Sequence, residues 1–294
     1  MEGRLLLVPA GGLANRMRAV ASACAACAAA GSRLTVLWCR DWALGAPFKS
    51  IFEPVNPALL AVRDASPLDL LVLDRPRQHN LFVPLLPQTV LYGRGRVVPG
   101  RPDTRMARRI YEQDVKGLVT EDFDFNGWLR GRKCYMTSCL EFGSFPNDLY
   151  TRLFRPVKTV MDTVSARREA FSTHTIGMHI RRTDCTVAVA KSPTTLFIEA
   201  GKREIAEHDD TRIFLATDDM TVKTELRAVF GDRLITSPPD EGVSRGDVKG
   251  IRDGLADLWT LAATNHIYGS AGSSFSQMAA RIGRGELTVL TLPD

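Results

Sequence analysis

Short apolar runs alternate along this chain with stretches of helical spacing. Leu5–Val8 predicts a first strand, and Ala14–Ala30 a helix ended by Gly31. Leu34–Cys39 predicts the next strand. These runs do not alternate strictly between apolar and polar residues. Such runs suit strands covered on both faces, as in a parallel sheet. Leu70–Leu73 and Thr89–Tyr92 predict two weaker strands. Between and beyond them, Pro84, Pro87, Pro99 and Pro102 predict an irregular middle region.

The second half reads more regularly. Strands are predicted at 176–180, 212–216, 233–236, 266–269 and 287–292. Helices are predicted at 193–207, 220–230, 247–263 and 275–282, the first with Pro193 in its opening turn. Strand-helix alternation of this kind implies a doubly wound parallel sheet. A similar series in the first half implies a second one. The expectation is two α/β domains, residues 1–147 and 148–294, facing across a cleft, with the boundary near Gly143-Ser144-Phe145-Pro146.

Composition narrows the class. Of the 294 residues, 45% are hydrophobic and 24% charged, which excludes disorder and suits a soluble globular enzyme. The longest apolar run, Ala19–Ala30, is too short to span a bilayer. Met1-Glu2-Gly3-Arg4 does not resemble a signal peptide, so a cytoplasmic location is expected. Residues 1–150 hold 19 Lys+Arg against 14 Asp+Glu, a surplus of +5; the rest hold 19 against 19. That basic half suits an acidic acceptor or peripheral association with a membrane. The surplus is too small for nucleic acid, and no nucleic-acid-binding signature accompanies it. The six cysteines are expected as reduced thiols. Cys24-Ala-Ala-Cys27 has CxxC spacing inside an Ala-rich helix, where buried packing explains it better than zinc or redox chemistry.

The sharpest chemistry lies in Gly177-Met178-His179-Ile180-Arg181-Arg182-Thr183-Asp184. On a strand, Gly177, His179 and Arg181 share one face, with Met178, Ile180 and Arg182 on the other. Ligands of open α/β sheets bind beyond the carboxyl ends of the strands. Arg181 is therefore placed to grip a diphosphate with its planar fork. Arg182 joins the donor-binding set, although its face of the strand favours a structural role. Asp218 and Asp219 follow another strand. Asp219 fits a helix cap, and paired acids can also hold a metal, but no third ligand is visible. Ser273, Ser274 and Phe275 open a helix after a small-residue turn, where free N–H groups favour phosphate. Asp257 shares a helix face with Asp253, and its carboxylate could accept from a guanine. Gly12, Asn15 and Arg16 lie in a Gly-Gly turn that opens the first helix, and are expected to join the donor-binding set. The turn lacks the GxGxxG pattern of a dinucleotide site.

Taken together, GGLANR at 11–16, HIRRTD at 179–184, ATDD at 216–219 and the segment 254–277 resemble a fucosyltransferase superfamily. Its members include bacterial nodulation, core α1,6- and protein O-fucosyltransferases. The resemblance implies two Rossmann-like domains of the GT-B type and an inverting, metal-independent transfer from GDP-fucose to a glycan hydroxyl. It implies no cofactor. Arg181 would bind the diphosphate, His179 and Asp257 would surround the guanosine, and Ser274 would contact phosphate. Asp218 and Asp219 would shape the site, and GGLANR would line the cleft.

One departure matters. Core α1,6 enzymes carry a basic residue directly after the motif and then an acid, but Cys185–Ala190 holds neither. Asp184, Asp41 and Glu141 are the candidates for the base. Two alternatives stay open: another donor such as GDP-mannose or a UDP-sugar, and a nucleotide- or glycan-binding protein without turnover. A dehydrogenase is disfavoured by the missing dinucleotide fingerprint.

Overall fold

A computed structural model describes residues 2–73, 82–183, 185–238, 244–283 and 285–293. The chain divides into two compact units, the first ending at Arg155 and the second beginning at Pro156.

The first unit runs β1 (Gly3–Pro9), α1 (Leu13–Ala30), β2 (Ser32–Trp38), β3 (Ala61–Asp64), α2 (Pro67–Val72), α3 (Phe82–Tyr92), β4 (Arg109–Ile110), α4 (Glu112–Thr120), α5 (Phe125–Leu129), β5 (Lys133–Ser138) and α6 (Asp148–Leu153). Its parallel sheet has the order β3-β2-β1-β5-β4. The second unit runs α7 (Lys158–Arg168), β6 (Thr175–Ile180), α8 (Thr186–Lys191), α9 (Thr194–Glu207), β7 (Arg212–Thr217), α10 (Met220–Phe230), β8 (Leu234–Thr236), α11 (Val248–Ala262), β9 (His266–Ser270), α12 (Ser274–Gly283) and β10 (Glu286–Leu290). Its sheet is also parallel, in the order β10-β9-β6-β7-β8. Both units are doubly wound α/β structures, as the strand-helix alternation predicts.

Three expectations need correction. Leu70–Leu73 and Thr89–Tyr92 are not strands; the first lies largely within helix α2 and the second within helix α3. Local chemistry starts α2: Ser66 Oγ accepts from Asp69 N, the Asp69 carboxylate accepts from Ser66 N, and Pro67 occupies the first turn. The region expected to be irregular holds helix α3, with Pro87 inside it, and beyond that region lies an unpredicted strand, β5, that pairs with β1 from Arg4↔Lys133 to Pro9↔Ser138. The unit boundary falls after 155 rather than after 147. Phe154 packs on Phe52 with ring centroids 5.2 Å apart, and Glu53 N donates to Arg155 O, so α6 belongs with the first unit.

Strand β6 sits at the centre of the second sheet and is buried along its whole length. Met178 and Ile180 point into a core shared with Phe197, Leu215, Leu226 and Phe230. Burial of side chains this size contributes roughly 1.5–3 kcal/mol each. The opposite face meets α11. A Cβ at Gly177 would stand 2.5 Å from Leu261 Cδ1 and 2.7 Å from Thr264 Oγ1, so this close approach requires glycine. The strand is thus clamped from both sides, which fixes the direction in which the chain leaves it at Arg181.

Candidate functional site

In the second sheet, β7 and β8 extend from one side of β6, and β9 and β10 from the other. The direction of winding reverses between β6 and β9. Crevices at the carboxyl ends of strands flanking such a reversal are the ligand sites of open α/β sheets. Arg181 follows β6 there, and Ser270–Ser274 follows β9.

Hydrogen bonds join these two segments. Ser270 Oγ accepts from Arg181 N at 3.2 Å and donates to His179 O at 3.2 Å. Ser273 Oγ lies 3.2 Å from His179 Nδ1. The Phe275 ring stacks on the imidazole, with centroids 4.7 Å apart and planes 28° apart. His179 is buried. Desolvation, and then the charge of Arg181, push it down to about 4, against an opposing pull from Asp218. The ring is therefore neutral at pH 7.

The turn itself depends on backbone conformation. Gly272 has φ +69°, a region costly for residues with a Cβ. It lets the chain reverse between Ser270 and Ser274, where Ser273 N donates to Ser270 O. Ser273 Oγ accepts from Phe275 N, which caps the start of α12. The first turn of this helix leaves backbone N–H groups without intrahelical partners, an arrangement that favours anions.

Arg182 is held within the protein. Its guanidinium donates to Arg181 O, Ser192 O and Thr194 Oγ1 at 3.0, 2.7 and 3.1 Å. Asp218 shapes the same loop by accepting from Arg182 N at 2.7 Å and Thr183 Oγ1 at 2.6 Å, through different oxygens. Asp219 Oδ1 caps α10, accepting from Thr221 N and Thr221 Oγ1. These bonds, led by the one from the Thr221 hydroxyl, lower its carboxyl below the usual range.

Two serines have structural parts that sequence reasoning does not assign. Ser270 bridges the two strand ends, as described. Ser192 is fully buried; its hydroxyl accepts from Ala271 N at 2.9 Å and donates to Leu290 O at 2.5 Å. Ser192 thereby ties the Arg182 loop to the turn after β9. Ser270 lies within the Ser-rich segment already singled out, and the register of His179 beside Gly269 hints at its bridge; Ser192 carries no motif.

Other expected residues lie elsewhere. Asp257 is not gathered into this edge. It pairs with Arg167 Nη1 at 2.9 Å, and the Arg167 guanidinium lies 6.0 Å from the ring centroid of Phe214, midway along β7. This ion pair engages the carboxylate that a guanosine contact would use. Asp184 lies outside the described residues. Gly12, Asn15 and Arg16 belong to the first unit, at the carboxyl end of β1. Arg16 is fully buried there. It donates from Nε to Gly11 O at 2.8 Å and from Nη1 to Cys39 O, and Nη2 pairs with Asp41 at 2.9 Å. Asp41 also accepts from Ala43 N and Leu44 N, and Glu141 accepts from the Tyr150 hydroxyl at 3.1 Å. Cys24 and Cys27 are buried in α1, and burial pushes the Cys27 thiol up to about 12. Among the described residues, no helix is long and apolar enough to cross a membrane.

No protein-family model matches the chain, and no curated protein matches it. Solved structures do. NodZ alpha-1,6-fucosyltransferase, in a crystal soaked with GDP-fucose, matches with a TM-score of 0.62 at 19% identity, over 96% of this chain and 93% of that one. An Arabidopsis thaliana FUT1 mutant in complex with GDP matches at 0.57 and 15% identity, over 98% of this chain and 70% of that one. POFUT1 in complex with GDP matches at 0.57 and 12% identity, over 97% of each chain. The chain therefore has the fold of the fucosyltransferases NodZ, FUT1 and POFUT1.

Proposed function

We propose that this chain is a fucosyltransferase that uses GDP-fucose and transfers the sugar, with inversion, to a hydroxyl of a glycan acceptor. One observation carries the reading. Arg181 and the start of α12 meet at the winding reversal of the second sheet, joined by Ser270 and the neutral His179. The GDP and GDP-fucose named for the structures of like fold support the same donor.

The acceptor oxygen attacks C1 of the sugar from the face opposite the nucleotide. The C1–O bond to the β-phosphate breaks, and its electron pair stays on the departing phosphate. Arg181 and the N–H groups near Ser273 and Ser274 stabilise the charge that grows there. Donors preorganised in this way bind the transition state better than the ground state. His179 and Phe275 hold the turn in position beneath the donor. Arg182, Asp218 and Asp219 shape the loop around it. No metal is required in this reading, since Asp218 and Asp219 already serve backbone and hydroxyl donors. Asp184 activates the acceptor hydroxyl; of the other two candidates, Asp41 is engaged by Arg16 and two backbone N–H groups, and Glu141 accepts from the Tyr150 hydroxyl. The first unit serves the acceptor side; Arg16, fully buried and bonded within it, supports that unit's fold.

The test is transfer from labelled GDP-fucose to oligosaccharide acceptors by wild type and Arg181→Ala. The expected result is measurable transfer by wild type and its loss in a variant whose circular dichroism is unchanged. A folded Arg181→Ala variant with full activity would refute the assignment. Calorimetry with GDP, UDP and ADP should show preference for GDP; preference for UDP would replace the donor.

A further inference from the structure

We propose that His174, Glu204 and His208 form a binding site for a divalent transition-metal ion of the zinc class, at the end of the second sheet opposite Arg181. Each of the three offers one ligand atom, and these atoms all lie within 4.8 Å of one another. His174 immediately precedes β6, and His208 follows the last residue of α9, so both stand at the amino ends of the strands.

The sequence pattern and the fold build the cluster together. Glu204 lies in the last turn of α9 and His208 caps that helix, its N–H donating to Glu204 O at 2.9 Å. His174 Nε2 lies 2.7 Å from Glu204 Oε2, and the His174 and His208 rings lie with centroids 3.8 Å apart and planes tilted by 31°. An isolated His174–Glu204 pair would leave the second imidazole unexplained. Two imidazoles and one carboxylate are a common zinc ligand set, and the mixture of nitrogen and oxygen does not suit magnesium or calcium.

The surrounding bonds hold each ligand in place. Tyr268 OH donates to Glu204 Oε1 at 2.5 Å, leaving Oε2 toward the histidines. Thr211 Oγ1 donates to the carbonyls of Glu204 and His208 at 3.0 and 2.7 Å. Asp210 accepts from His174 N and from Thr173 Oγ1. Outer contacts of this kind orient ligands and raise affinity. Zinc–ligand bonds of about 2.0–2.1 Å put tetrahedral ligands roughly 3.4 Å apart, so binding opens the 2.7 Å His174–Glu204 contact by less than about 1 Å, replacing that hydrogen bond, and draws the wider separations inward. His208 is exposed, so an ion can enter from solvent and keep water as its fourth ligand. The bound ion would clip the segment before β6 to the end of α9.

The experiment titrates the full chain, stripped with chelator, with zinc chloride and separately with magnesium chloride, by calorimetry. Wild type should bind one zinc ion per chain and ignore magnesium, and zinc should raise its melting temperature. His208→Ala, at an exposed helix end, should fold normally and lose at least tenfold in zinc affinity. Cys185→Ser should bind as wild type does, and the cobalt-loaded protein should lack a thiolate charge-transfer band. Absence of zinc binding by wild type overturns the proposal. So does unchanged affinity in His208→Ala, equal binding of magnesium, or loss of the ion in Cys185→Ser.

Discussion

In the first unit, the arginine at the start of α1 is sealed inside the protein; in the second, the arginine after β6 stands half-buried at the sheet edge. Both follow the central strand of a doubly wound sheet, beside a reversal of winding. Their surroundings differ. Arg16 meets the carbonyls of Gly11 and Cys39 and the carboxylate of Asp41, with Trp38 5.1 Å beneath its guanidinium. The bonds around Arg181 instead fix its backbone to Ser270 and pair its strand end with a helix start suited to anions. Position in such a fold therefore does not assign a role. Arg16 is enclosed by carbonyls and a carboxylate of its own unit and supports the fold, whereas the half-buried Arg181 is the one that the proposed function assigns to the donor.

The largest effect should break this symmetry. Arg181→Ala should slow transfer by a hundredfold or more, about 3 kcal/mol or greater, in a variant that still folds and melts above Arg16→Ala. Arg16→Ala should do the reverse in kind. Removing one partner of a buried ion pair destabilises by about 3–5 kcal/mol, which urea denaturation of the variant would read. Equal effects of the two substitutions on stability would erase the distinction.

The neutral imidazole gives a smaller, pH-dependent effect. His179 is held down to about 4 in the folded chain, against an ordinary value of 6.5. Between these values the unfolded state binds the proton and the folded state does not, so stability rises with pH across that window. Below about pH 4 the loss is complete, and above about 6.5 it is absent; at most it amounts to about 3 kcal/mol. Denaturation of wild type and His179→Gln from pH 4 to 7 should show a flatter profile in the variant. The smallest effect is local. Asp219→Ala should cost about 1 kcal/mol through loss of the α10 cap, measured by the denaturation midpoint.

Legibility divides the same way between the units. In the second, the elements after Ile176, the short helix α8 excepted, stand out because apolar strands and helices alternate cleanly. The pattern predicts Met220–Phe230 residue for residue, with Asp219 as its cap. In the first, β5 is hidden because Lys133-Cys134-Tyr135-Met136-Thr137-Ser138 mixes polar and apolar residues while being buried from Cys134 onward. Its strand state comes from pairing with β1, a partner more than a hundred residues away. The apolar run inside α2 looks like a strand, yet Ser66, Pro67 and Asp69 carry a readable helix start. At the site, HIRR and the Ser-rich turn are legible as anion chemistry. The partner of Asp257 is not, because its ion pair with Arg167 depends on how α11 packs against α7.

Ser192 has a consequence for how genetic data on this chain would read. Its carbonyl, its hydroxyl proton and its hydroxyl lone pair each serve a different segment: Arg182, Leu290 and Ala271. A saturation screen scored on product would mark position 192 as intolerant, as though it met the sugar nucleotide. Alanine there would sever two of the three tethers at once, and the lesion would be one of alignment in a residue that no ligand needs to reach.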